Sequence, residues 1–193
     1  MFSEKSKAAD TVQSALTATA TAAEGLGAKG KYKVQCHDAQ GNLKWETEIE
    51  DNLVVNVGLQ DMNTKYFTGS AYSATWYLGL ITGPGVTTNA NDTMSSHAGW
   101  TEFTGYSQAS RVTCTFGSAS TANPSVISNS ASPAAFSINA TGTVGGAFLT
   151  SNNTKSGTTG TLFSEKAFSS PGDRNVSSGD TLTVTYTFSL TAT

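Results

Sequence analysis

The sequence predicts a mainly β fold: a single antiparallel β-sandwich, jelly-roll-like, with one short helix and an N-terminal arm. Three observations carry that expectation. Of 193 residues, 37% are hydrophobic and only 13% are charged, against about 25% charged in an average globular protein. Ser, Thr, Gly and Asn stand in place of the missing charge; Thr suits a pleated surface, and Gly and Asn suit the turns between strands. Several short segments also alternate apolar and polar residues with period two, separated by turn-forming links. A chain of this length buries enough surface for a sizeable core. The expected division is an arm over residues 1–30 and one sandwich domain over residues 31–193.

In the arm, Ala8, Ala9, Val12, Ala15, Leu16 and Ala20 recur at helical spacing, with Val12 and Leu16 the larger apolar side chains of the stripe. Asp10, Gln13 and Ser14 interrupt what would be the apolar core of a signal peptide, so that reading is set aside. Gly25-Leu26-Gly27-Ala28 reads as a linker. No apolar run approaches the about 20 residues that a membrane helix needs, so no membrane partner is expected.

Residues 31–50 read as a hairpin. Tyr32, Val34 and Cys36 alternate on one strand and Leu43, Trp45 and Ile49 on the next, with His37 to Asn42 supplying the turn. The second strand carries Lys44, Glu46, Glu48 and Glu50 on its other face, which therefore meets water or a basic partner. From residue 52 to 68 the period changes: Leu59, Met62 and Tyr66 recur at helical spacing, and Gly69 is placed to end the helix. Such a helix is expected to plug one end of the core. Trp76 to Ile81 reads as a strand buried on both faces, stopped by Gly83-Pro84-Gly85.

A long loop follows, from Val86 to about Glu102, containing Asn89, Asn91, Asp92, His97 and Trp100. Loops of this length are commonly functional. Further strands are expected at Arg111–Phe116, Ala135–Asn139, Thr141–Thr150 and Thr181–Leu190, and an exposed loop at Ser151–Gly160. The last strand is the clearest: Leu182, Val184, Tyr186, Phe188 and Leu190 face one way and five Thr or Ser the other. Cys36 and Cys114 each alternate with apolar neighbours, which places them on inward strand faces, as free core thiols or, alternatively, as a mutual disulfide. The short echo of Phe2-Ser3-Glu4-Lys5 at Phe163-Ser164-Glu165-Lys166 has no longer period behind it and reads as chance.

Charge excludes one class of function. The net charge is −3 and no basic patch is present, so nucleic acid is not an expected partner. Catalytic constellations are also missing. Cys36 and His37 are adjacent on a strand and point to opposite faces. Asp92, Ser95, Ser96 and His97 share one loop, whereas a serine hydrolase assembles such groups from distant segments on a rigid scaffold. No phosphate-cradling glycine loop, nucleophile elbow or zinc spacing occurs. Asn89, Asn91, Asp92 and Asp173, Asn175, Asp180 offer oxygen ligands, but at spacings that suit turns better than calcium. No catalytic residue, cofactor or metal is expected.

An ordered series of short motifs then resembles a known family. Asn52 to Leu59, Trp76 to Leu80, Asp92 to Glu102, Tyr106, Arg111, Ala140 to Leu149 and Gly179 to Leu182 look like a family of small virion proteins of tailed bacteriophages. The resemblance covers roughly Tyr32 to the C-terminus. It implies a non-enzymatic structural protein, made in the host cytoplasm and carried on the virion. Within the family both capsid decoration (cement) proteins and tail-fibre-associated proteins fit.

The cement reading places the domain on the capsid exterior, as a homo-oligomer bridging subunits of the major capsid protein. Its candidate contact residues are His97 and Trp100 in the long loop, Glu46 and Glu48 on the charged strand face, and Val12 and Leu16 in the arm. The alternative is a receptor- or glycan-binding fibre module in which Trp76, Tyr77, Trp100 and Tyr106 stack on sugars. A glycan-active hydrolase is the third reading.

Overall fold

A computed structural model describes residues 25–69, 72, 75–168 and 172–192. The expected helical stripe with Val12 and Leu16 lies outside the described residues. The expected hairpin forms from β1 (Leu26–His37) and β2 (Leu43–Val54). Asp38 closes its turn by accepting from the backbone N–H groups of Gln40 and Asn42 at 2.9 and 2.8 Å, and Gly41 supplies the left-handed residue at φ 86°. Tyr32, Val34 and Cys36 are fully buried, as their alternation predicts.

β11 (Thr181–Ala192) pairs with β1 along its whole length, from His37 opposite Thr181 to Leu26 opposite Ala192. This corrects the linker reading of Gly25 to Ala28. β11 continues far enough to offer backbone partners, so the sheet begins at Leu26 and not at residue 31.

The strand β2 serves two neighbours. Between the pairs Tyr32–Ile49 and Gly30–Asn52 it holds one residue more than β1, and Asp51 takes a left-handed φ of 53°. The bulge redirects the strand, and Leu53 and Val54 then pair with β9 (Leu162–Ala167). Beyond β9 lie β8 (Gly142–Thr150), β3 (Trp76–Thr82) and the two-residue β4 (Glu102–Phe103). The full path is β4-β3-β8-β9-β2-β1-β11-β6, with β6 at Ser125–Ser128. β5 (Val112–Cys114) pairs with β3, β7 (Ala134–Ser137) with β11, and β10 (Arg174–Val176) with β8. All pairings among the described residues are antiparallel.

The mainly β class is therefore as expected, but the strands form one continuous hydrogen-bonded sheet. That sheet curls over its own inner face. Phe163 on β9 meets Phe188 on β11 with ring centroids 5.4 Å apart, and Trp76 on β3 at 5.3 Å. The Tyr32 and Ser164 hydroxyls meet across the same interior at 2.7 Å.

β9 was hidden in the sequence, because Leu162 to Glu165 are buried on both faces and show no alternation. Its Phe163 to Lys166 run lies within a central strand. β4, β6 and β10 are too short to carry a pattern.

The helix α1 (Asn56–Phe67) ends as expected: Gly69 follows it at φ 63°. Its buried face is not the expected one. Leu59 is 39% and Tyr66 83% exposed, while Gly58 is buried. A Cβ on Gly58 would stand 2.5 Å from the Phe163 carbonyl oxygen, so the helix docks on β9 through its bare glycine, with Met62 packed against the main core and Val57 against a smaller cluster. The Asn56 N–H, left open at the helix start, donates to Ala90 O at 2.8 Å.

Candidate functional site

The outer face of β3, β8 and β9 carries a second, smaller core made by Val55, Ile81, Met94, Trp100, Phe148 and Leu162. Gly79 makes room for it, since a Cβ there would meet the Phe148 ring at 2.2 Å. The long loop between β3 and β4 supplies its lid and is fastened at several points. Thr82 N–H donates to Thr101 O at 2.8 Å, and Thr87 N–H to Gly99 O at 3.0 Å.

The central fastening is the side chain of Glu165, which is fully buried. Its Oε1 accepts from Asn89 N–H at 3.0 Å, on the outgoing limb of the loop. Its Oε2 accepts from Trp100 Nε1–H at 2.7 Å, on the returning limb. Asn89 N–H is shared with Asp92 Oδ2 at 3.2 Å, so the two carboxyl groups converge on one donor. Burial, and then the hydrogen bond with Asp92, push the Glu165 carboxyl up to about 8.

Trp100 is thereby a core residue, 5% exposed. This corrects its reading as a partner contact: the buried Glu165 carboxyl group and the Phe148 ring, 4.9 Å away, draw the indole inward. His97 stacks on that indole, with ring centroids 3.8 Å apart and planes within 16°, and its Nδ1 lies 3.1 Å from Trp100 O. His97 is half-buried and caps the tryptophan while keeping an edge toward solvent.

Glu46 and Glu48 do face outward, but their basic partner lies in the same sheet. Lys33 reaches Glu46 at 3.1 Å and Lys31 reaches Glu48 at 2.9 Å. Gln35 Nε2 also donates to Glu46 at 2.6 Å. These acids are satisfied by β1, and as exposed pairs they add little stability. Val12 and Leu16 lie outside the described residues.

Among the described residues no hydrolytic triad is brought together. Ser95 Oγ lies 3.1 Å from Thr93 Oγ1, and the Asp92 carboxyl is engaged with Asn89 and Glu165. Asp180, one of the loop oxygen ligands, accepts from Lys44 Nζ and from Ser177 N–H at 2.7 Å. Among the described residues no group of three or more His, Cys, Asp or Glu is placed to hold a metal. Cys36 and Cys114 are buried, as the alternation predicts, and both are free thiols, which burial pushes up to about 12.

Sequence reasoning missed the surface around the end of α1. Tyr66, Phe67 and Tyr72 are 83%, 77% and 53% exposed. Tyr72 and Lys65 stand at the rim of a cleft of about 570 Å³ that opens between the curled halves of the sheet and is floored by Met62, Trp76, Phe116, Ile127, Phe163 and Phe188. The available signal was Tyr66-Phe67 side by side: two adjacent aromatics on a helix cannot both face one core.

Comparison with known proteins finds no matching family model, no similar curated protein and no similar solved structure.

Proposed function

We propose that this protein is a non-enzymatic virion protein that decorates the outside of a tailed-phage capsid and cements it by bridging major capsid subunits. The observation that carries the reading is the aromatic surface at the end of α1. Tyr66, Phe67 and Tyr72 stand exposed, with Tyr72 at the rim of an apolar cleft. Exposed aromatic groups of this kind mark protein contacts. The motif series running from Asn52 to Leu182 supports the phage setting. Contacts repeated over a shell would stabilise it through multivalency.

The fibre alternative is less well supported. Of the four aromatics it would use for sugar stacking, Trp76, Trp100 and Tyr106 are buried at 8%, 5% and 1% exposure. Copy number in purified particles, measured by mass spectrometry against the major capsid protein, tests the proposal. A ratio near one to one supports a cement. A few copies per particle assign the protein to the tail, and complete absence from particles removes both structural readings.

A further inference from the structure

We propose that Glu165 and Asp92 form a proton-dependent latch that holds the loop of residues 83–101 against the outer face of the sheet. One buried carboxyl group fastens both limbs of this loop, at Asn89 N–H and Trp100 Nε1–H. A second carboxyl converges on it through the shared Asn89 N–H. Two carboxylates in such proximity cannot both ionise cheaply, and the pair retains one proton as an O–H···O bond between them.

Few other charges reach the site. On β9, Lys166 follows Glu165 and lines a groove with Leu53 and with Thr88 of the loop, so it is the cation nearest in sequence to the pair. The residues opposite Glu165 on its two neighbouring strands are Phe148 and Leu53. The nearest cation behind Phe148 is Arg111, 5.2 Å from that ring and already joined to Glu102. From α1, Asp61 bonds Thr161. From the loop itself, His97 touches Trp100 rather than the carboxyl pair.

The sign follows from the direction of the shift. The folded protein holds this proton more tightly than the unfolded chain, where a glutamate loses it near 4.5. The stability that the latch contributes is therefore complete below that value and is lost as pH rises through about 8. Above it, the buried Glu165 charge and the Asp92 carboxylate beside it repel, and the loop with Trp100 loosens while the sheet beneath remains.

The test is the Trp100 indole Nε1–H signal in a proton–nitrogen correlation spectrum of the full chain, followed from about pH 5 to about pH 9.5. Amide exchange of residues 86–101 is read alongside it. The expected result is a step in the indole signal near the upper end of this range. Loop exchange should rise about tenfold beyond the intrinsic base-catalysed increase.

Asp92→Asn replaces a half-exposed carboxylate by an amide that donates to Glu165, so it should fold normally and lose the step or move it down by more than about one pH unit. A wild-type signal that is flat overturns the proposal. So does a step that persists unchanged in Asp92→Asn.

Discussion

Arg111 and Glu102 are joined by two N–H···O bonds, Nε to Oε1 at 3.0 Å and Nη2 to Oε2 at 2.8 Å, with both side chains at least 95% buried. The guanidinium also donates to the carbonyls of Asn152 and Gly157, each at 3.0 Å, and Ser156 N–H donates to Glu102 Oε2 at 2.6 Å. The Gly- and Thr-rich segment that reads as a free loop is thus organised from inside by one ion pair.

Breaking that pair should be costly because the surviving charge stays buried. Arg111→Ala or Glu102→Ala alone is expected to destabilise by about 3–5 kcal/mol. The double substitution should cost clearly less than the sum of the two. Urea unfolding of the four proteins of the cycle measures this. Additive losses would mean that the two residues act independently.

The tryptophan in the long loop gives a second, separable expectation. Trp100→Phe preserves most of the apolar contact with Phe148 but removes the donor to Glu165 Oε2. It should cost about 1–3 kcal/mol, the usual penalty for an unsatisfied buried polar group. His97→Ala removes only the outer cap and should stay within about 1 kcal/mol. Thermal unfolding of both variants checks the ordering; a larger loss for His97→Ala would make the imidazole, not the carboxylate, the anchor of the loop.

The two thiols offer a chemical measure of core integrity. Cys36 and Cys114 are buried, and burial pushes both thiols up to about 12, so neither presents thiolate at neutral pH. A disulfide reagent should find no reactive thiol in the native protein and should find both after denaturation. Rapid reaction of either in native buffer would mean that the sheet opens locally around it.

Much of this fold was legible because period-two alternation survives wherever one face meets the core and the other meets water. β1 and β11 show it plainly, and their inward residues are the ones that alternation selects. β9 was illegible for the opposite reason: buried on both faces, Leu162 to Glu165 offer no contrast, and Glu165 looks like a surface charge until Asn89 and Trp100 arrive from a distant loop. The helix was found by its spacing, and Met62 packs inward as expected, but Leu59 and Tyr66 do not, because Gly58 docks on β9 and no side-chain pattern records a missing side chain. Trp100 was singled out as a contact and is a core residue. Which way it faced depended on a partner 65 residues away.

The aromatic surface at the end of α1 carries the last expectation. Tyr66 and Phe67 touch each other edge to face at 4.9 Å, and both remain largely exposed. Folding therefore gains little from them, and Tyr66→Ser with Phe67→Ser should change unfolding stability by no more than about 0.5–1 kcal/mol. A contact surface would respond differently, since buried aromatic anchors at interfaces lose about 2 kcal/mol or more each when truncated. If the cement reading holds, particles grown without the wild-type protein should take up added wild-type protein and exclude the double variant at the same concentration. Equal uptake would move the contact away from α1, leaving the outer edge of His97 and the cleft rim at Tyr72 as the next surfaces to vary.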